Sequence, residues 1–250
     1  MKQILFQKKI SKGSRFNQIY VPKQYDDFLQ PGDIVEIRLI KKQTKLYYLD
    51  KRIKISDFKI KLVEDIFLFL QRKGIKQIFI SGSFLYKIVG YNDLDIIIVS
   101  PKDNKKLKNE LTIKFNQKFH IIHYTAEELD KGYKIDPLLR SMLNYSVSNS
   151  EFFLNSKRAV DKQLIRYYLM MPEDLLKLKL SFIHYIKNIM RLTTMYLFLK
   201  GKKIDIIKIH SEIKNLINFD YEDNDKPTKE ELTFMRTIIR KKLRQIKKLL

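Results

Sequence analysis

A chain of 250 residues that sets 50 Lys and Arg against 28 Asp and Glu carries a formal charge of +22. Its length allows a real core in one large or two or three smaller domains, and 44% apolar with 31% charged residues excludes a disordered or collagen-like chain. The absence of Cys excludes a disulfide framework and thiol-ligated zinc and fits a reducing, cytoplasmic setting, while seven Gly and six Pro are too few for a barrel of many turns.

A field of this sign attracts phosphates, so nucleic acid is the expected partner. An AT-rich coding sequence would impose the same skew, since 39 of the 50 basic residues are Lys and 34 residues are Ile. No membrane partner is expected. Residues Met1 to Lys12 hold no apolar stretch of signal-peptide length, and the apolar run from Glu173 to Lys200 is interrupted by Lys177, Lys179, His184, Lys187 and Arg191.

In chain order, the first fifty residues alternate rather than follow a helical period. Ile19 to Val21 reads as a strand ended by Pro22, Tyr25 to Leu29 as a short helix, Pro31-Gly32 as a turn, and Ile34 to Ile40 as an alternating strand. A helix is predicted from a cap at Ser56 to Gly74, followed by a strand at Gln77–Ile80. Next come a helix from Ser83 to about Val89, a strand from Asp93 to Val99, a Lys-rich helix near Asp103 to Lys114, and a strand from Phe119 to Tyr124. Four helices are predicted beyond Asp136: Ser156–Leu169, Pro172–Lys200 with Pro172 in its first turn, Ile204–Ile217 and Thr228–Leu250. The resulting fold class is α+β: a small β-rich module over residues 1–52, a core with a short mixed sheet over 53–150, and a helical bundle over 151–250.

Chemistry concentrates in Gln77 to Val99, QIFISGSFLYKIVGYNDLDIIIV. A strand ends in Gly82-Ser83, and eleven residues after Gly82 a second strand opens with Asp93-Leu94-Asp95. The period of two puts both carboxylates on one face, where they can hold divalent cations. Gly82 lets the backbone approach a phosphate, and a helix starting at Ser83 would direct its free N–H groups at the same anion. These parts suit a nucleoside triphosphate bound with Mg2+ or Mn2+, and the reaction class they suit is nucleotidyl transfer.

The pattern strand, Gly-Ser, about ten residues, Asp-x-Asp, strand resembles the signature of the polymerase-beta type nucleotidyltransferase superfamily, in particular its minimal members. The similarity spans about Ser56 to Tyr145 and includes a weaker likeness in Phe119 to Leu143. It implies that Gly82 and Ser83 bind the nucleotide and that Asp93 and Asp95 are the catalytic metal ligands. The family carries a third carboxylate on the next long strand; here His120 stands at that position. A histidine there suits a general base better than a magnesium ligand. Glu127, Glu128 and Asp136 are alternative carboxylates nearby, and His123 reads as a residue of the sheet.

Two flanking segments concern nucleic acid. Residues 8–40, KKISKGSRFNQIYVPKQYDDFLQPGDIVEIRLI, resemble the AbrB-like swapped-hairpin DNA-binding module, which would turn Lys9, Lys12 and Arg15 toward a phosphate backbone and bring a homodimer with it. The other reading is a β-extension of the central core. In the last helix Leu232, Met235, Ile239, Leu243, Ile246 and Leu250 share one face, while Arg236, Arg240, Arg244, Lys247 and Lys248 form a basic ladder on the other. That ladder reads equally as a phosphate-binding stripe and as the solvated side of a packing helix.

The leading expectation is a metal-dependent nucleotidyltransferase that moves a nucleotidyl group from an NTP to an RNA, protein or small-molecule acceptor. The alternatives are a catalytically degenerate nucleotidyltransferase fold acting as a nucleic-acid-binding scaffold or regulator, and the antitoxin of a toxin–antitoxin pair.

Overall fold

The computed structural model describes residues 6–37, 44–86, 91–101, 106–152, 157–217 and 226–250. Two compact units divide the chain, residues 1–43 and residues 44–250, so the segments read from sequence as core and bundle lie in one unit.

In the first unit, β1 (Ser11–Lys12) and β2 (Asn17–Gln18) pair antiparallel across a turn at Gly13 to Phe16. A 3-10 turn at Lys23–Tyr25 stands in place of the short helix expected at Tyr25 to Leu29. The strands foreseen at Ile19–Val21 and Ile34–Ile40 do not form over 19–21 and 34–37, and residues 38–40 lie outside the described residues. The reason is burial. None of residues 6–37 is buried; Ile34 is 99% exposed and Phe16 79%. Alternating apolar residues fix a strand only when one face has something to pack against.

The second unit is mixed α+β. Its first strand, β3 (Tyr47–Tyr48), precedes α1 (Asp57–Arg72), whose cap is Ser56 with its side chain accepting from the Lys59 N–H; Gly74 follows at φ +83°. Then come β4 (Gln77–Ser81), β5 (Leu94–Val99), α2 (Leu107–Phe115) and β6 (Phe119–Tyr124), followed by α3 (Ala126–Ile135), α4 (Pro137–Asn144) and β7 (Val147–Ser148). The sheet order is β3-β7-β4-β5-β6; only β5 and β6 are parallel, joined through α2.

Alternation along β5 divides two cores. Ile96 and Ile98 pack with Val63, Phe67 and Leu70 of α1 and Leu107 and Leu111 of α2, while Ile97 packs with Phe79, Leu129 of α3 and Leu139 and Leu143 of α4. Four helices follow: α5 (Lys162–Leu175), α6 (Phe182–Leu199), α7 (Ile206–Ile217) and α8 (Lys229–Lys247). They share a third core around Tyr185, Ile189, Leu192, Met195 and Ile239, and Ile206 and Ile207 of α7 pack onto the α1 side of the sheet.

Pro172 does not open a helix. It is buried within α5, which continues to Leu175, and the chain breaks instead at residues 176–181. A prolyl residue inside a helix costs a hydrogen bond, and Pro172 bears that cost at a buried position. Among the described residues no helix is long and apolar enough to cross a membrane.

Candidate functional site

Ser81, Asp95 and His120 form a row across three neighbouring strands: Ser81 is the register partner of Asp95 in the antiparallel β4–β5 pair, and Asp95 that of His120 in the parallel β5–β6 pair. Alternation turns Asp95 and His120 to the face that carries Ile97 and Ile122, and His123, an odd number of residues on, to the opposite one. The Nδ1 of His120 lies 2.8 Å from Oδ1 of Asp95. With Asp95 ionised, Nδ1 is the donor of this bond, on a side chain that is 57% exposed.

Burial pushes the Asp95 carboxyl up from its ordinary value; the His120 hydrogen bond opposes this, the charge of Asp93 adds to it, and the charges of His120 and Lys187 pull it down again. Lys187 comes from α6 in the bundle and escaped the sequence reading because nothing in a helical Lys indicates which strand it will face. Tyr86 is a second such residue. Burial first, then the negative charges of Asp95 and Tyr145, push its phenol to about 12, and its ring stands 5.4 Å from that of His210 on α7.

Gly82 has φ +81° and ψ −167°, open to glycine alone, and any Cβ there would collide with Oδ2 of Asp95 and stand 3.0 Å from its Cγ. The helix expected from Ser83 to Val89 is, over its described part, one 3-10 turn, Ser83–Leu85; residues 87–90 lie outside the described residues. So short a turn has no helix dipole to offer. It does hold backbone donors: the N–H groups of Leu85 and Tyr86 are used within the turn, on the carbonyls of Gly82 and Ser83, and those of Ser83 and Phe84 have no backbone acceptor among the described residues. Lys59 of α1, buried with its pKa lowered by burial, fastens the turn from behind, its ammonium bonded to the Phe84 carbonyl and 4.7 Å from the centre of the Phe84 ring.

Among the described residues no cluster of three or more His, Cys, Asp or Glu side chains is placed to hold a metal ion. Two carboxylates suffice for Mg2+ when substrate phosphates and water complete its shell, and the raised Asp95 carboxyl beside Asp93 is a pair that a divalent cation would relieve. The Ser81 hydroxyl, fully buried and without a hydrogen-bond partner among the described residues, lies in the same row. The donor set therefore fits Mg2+ or Mn2+ at Asp93 and Asp95, with His120 turned to the carboxylate as a hydrogen-bond partner.

Two of the three alternative carboxylates have structural work, while Glu127 lies in the first turn of α3. Glu128 closes a capping box with Thr125 at the start of α3, and Asp136 caps α4 through the N–H groups of Leu138 and Leu139 while accepting from the Tyr168 hydroxyl.

The basic ladder of α8 divides. Arg236 donates to the Leu178 carbonyl at 2.8 Å, latching the break between α5 and α6, and Lys247 pairs with Glu173 at 2.6 Å. Arg240, Arg244 and Lys248 stay exposed and, with Thr237, Lys241 and Gln245, line a shallow concavity of about 510 Å³. In the first unit Lys9, Lys12 and Arg15 are all exposed, Lys12 on β1 and Arg15 in the following turn.

No family model, curated protein or solved structure matches the chain.

Proposed function

We propose that the protein is a metal-dependent nucleotidyltransferase of the polymerase-beta type. The observation that carries this reading is the single row in which Asp95 is packed against Gly82 on one side and bonded to His120 on the other. A glycine turn, the Asp95 carboxylate and an imidazole bonded to it thus lie within one side chain of each other. Mg2+ or Mn2+ held by Asp93 and Asp95 would neutralise the triphosphate and polarise the α-phosphorus.

The chain's own groups do the rest. The Gly82-Ser83 turn receives the phosphates with backbone N–H groups and the Ser83 hydroxyl. The acceptor hydroxyl gives its proton to Nε2 of His120 as its oxygen bonds to the α-phosphorus, and the bond to the oxygen bridging to the β-phosphate breaks, releasing pyrophosphate. Asp95, bonded to Nδ1, keeps the imidazole in the tautomer that can accept and stabilises the imidazolium that results. The acceptor is RNA, a protein side chain or a small molecule.

The test is incubation with each labelled NTP, Mg2+ or Mn2+, and RNA or protein acceptors, beside an Asp93→Ala, Asp95→Ala double variant. Labelled product or pyrophosphate from the wild type alone supports transfer; none from either removes it.

A second reading is favoured by one observation, the exposed cluster of Arg240, Lys241, Arg244 and Lys248 on α8. In it the fold is a nucleic-acid-binding scaffold, regulator or antitoxin without catalysis, with Lys9, Lys12 and Arg15 as further phosphate contacts. The first unit, an AbrB-like module in this reading and without a buried residue over 6–37, would complete itself by pairing with a second copy, giving a homodimer. A steep loss of DNA or RNA affinity with rising salt supports it.

A further inference from the structure

A cavity of about 780 Å³ opens at the β3–β7 side of the sheet, lined by none of the residues of the row. Five aromatic rings line it: Tyr47 and Tyr48 of β3, Tyr133 of α3, Tyr145 between α4 and β7, and Phe152. Its charged residues cancel, Asp50, Glu151 and Asp205 against Lys51, Arg52 and Lys203. In a chain of formal charge +22 this balance decides what the cavity takes. Phosphate is drawn to uncompensated cations, and here Arg52 is spent on Asp50 at 2.6 Å and on Asp205 at 2.7 Å. What remains is an aromatic, electrically neutral hollow with fixed polar groups. Asn144 shows the arrangement: its Oδ1 accepts from the Tyr133 hydroxyl at 2.8 Å, which leaves its NH2 to donate.

A planar, uncharged ring edged with hydrogen-bonding atoms meets all these features, because aromatic side chains stack on any base and an amide reads its edge. The connection to the carboxylates runs through Tyr86. Tyr145 lines the cavity and touches the ring of Tyr86 edge-on at 6.3 Å, and the Tyr86 phenol feels the charge of Asp95. We propose that this cavity is a nucleobase site serving the Asp93–Asp95 centre. The base belongs either to the NTP or to an RNA acceptor, and the assignment rests on the nucleotidyl-transfer reading for its place in the reaction, though not for binding itself.

Ligand-observed NMR with free adenosine, guanosine, cytidine and uridine tests it on the full chain. At least one nucleoside is expected to bind, and Tyr48→Ala and Phe152→Ala are each expected to weaken binding at least about fivefold, the low end for loss of a stacking partner. Circular dichroism reports whether the variants are folded, and Asn144→Ala gives a third variant that leaves the rings in place. The Asp93→Ala, Asp95→Ala variant should bind nucleoside like the wild type even if no transfer is ever detected, so the two readings fail separately. Displacement by NTP assigns the base to the nucleotide; displacement by a short single-stranded RNA and not by NTP assigns it to the acceptor. The proposal is overturned if no nucleoside binds, if the folded variants bind as the wild type does, or if neither NTP nor RNA displaces the nucleoside.

Discussion

Asp95 and His120 are register partners in the one parallel strand pair of the sheet, so the 2.8 Å hydrogen bond between their side chains is fixed by two backbones rather than by a loop. If this pair moves the acceptor proton, His120→Gln should lower kcat by roughly 10²- to 10⁴-fold while leaving NTP affinity within a few-fold, since Nε2 meets the acceptor and not the phosphates. Single-turnover kinetics with and without pre-bound NTP measure the two effects separately.

Gly82→Ala should be destabilising and inactivating together. The backbone conformation is one that alanine enters at a cost of about 1–3 kcal/mol, and the added methyl displaces the Asp95 carboxylate from its partner. Urea unfolding gives the first effect. Transfer activity under conditions where the variant remains folded gives the second.

Lys187 of α6 acts on Asp95 through its charge. Lys187→Glu is expected to weaken NTP binding about tenfold, a loss of ~1.4 kcal/mol, and to leave thermal stability nearly unchanged because the residue is exposed. Calorimetric titration with NTP reads the affinity, and a melting curve checks the fold.

Asp50 and Asp205 are held below the ordinary carboxylate range, chiefly by hydrogen bonds from Arg52. A lowered folded-state pKa means stability that is present above the unfolded value and is lost as the pH falls through the folded one. The wild type should therefore melt above Arg52→Ala at neutral pH, and the gap should close as the pH drops below about 4. Melting temperatures of both proteins from neutral pH down to strong acid check the sign.

The α8 cluster makes a separable prediction about salt. Replacing Arg240, Lys241, Arg244 and Lys248 by Ala should flatten the slope of log K against log salt by roughly 3 for single-stranded nucleic acid, at about 0.7 per phosphate contact. The control is Arg236→Ala with Lys247→Ala, which removes cations already bonded to Leu178 and Glu173 and should leave the slope nearly as it was.

The sequence carried more of the sheet than of the bundle, for local reasons. Ser56, Gly74 and the runs Gln77–Ile80 and Phe119–Tyr124 announce their elements through caps, stops and apolar runs that need no distant partner. Pro172 misleads because its effect on a helix depends on what the bundle packs around it, and the break at 176–181 is set by Tyr185 and Arg236, both bonded to the Leu178 carbonyl. Within the site, the structure brings Gly82, Asp95 and His120 together, and His120 is expected there from the family resemblance rather than from spacing. Lys187, Tyr86 and the aromatic cavity do not announce themselves, because each depends on which helix or edge strand the sheet happens to meet.

The edge strand β3 has a consequence for the order of events on the ribosome. Tyr47 pairs with Ser148, so the first strand of the second unit waits for about a hundred further residues before its partner exists. At about 5–20 residues per second, synthesis leaves an interval of roughly 5–20 s in which the preceding N-terminal unit has emerged without any finished body behind it. Two nascent chains on one message share that interval, and in the homodimer reading the first unit, with none of its residues 6–37 buried, would meet its copy before either sheet has closed.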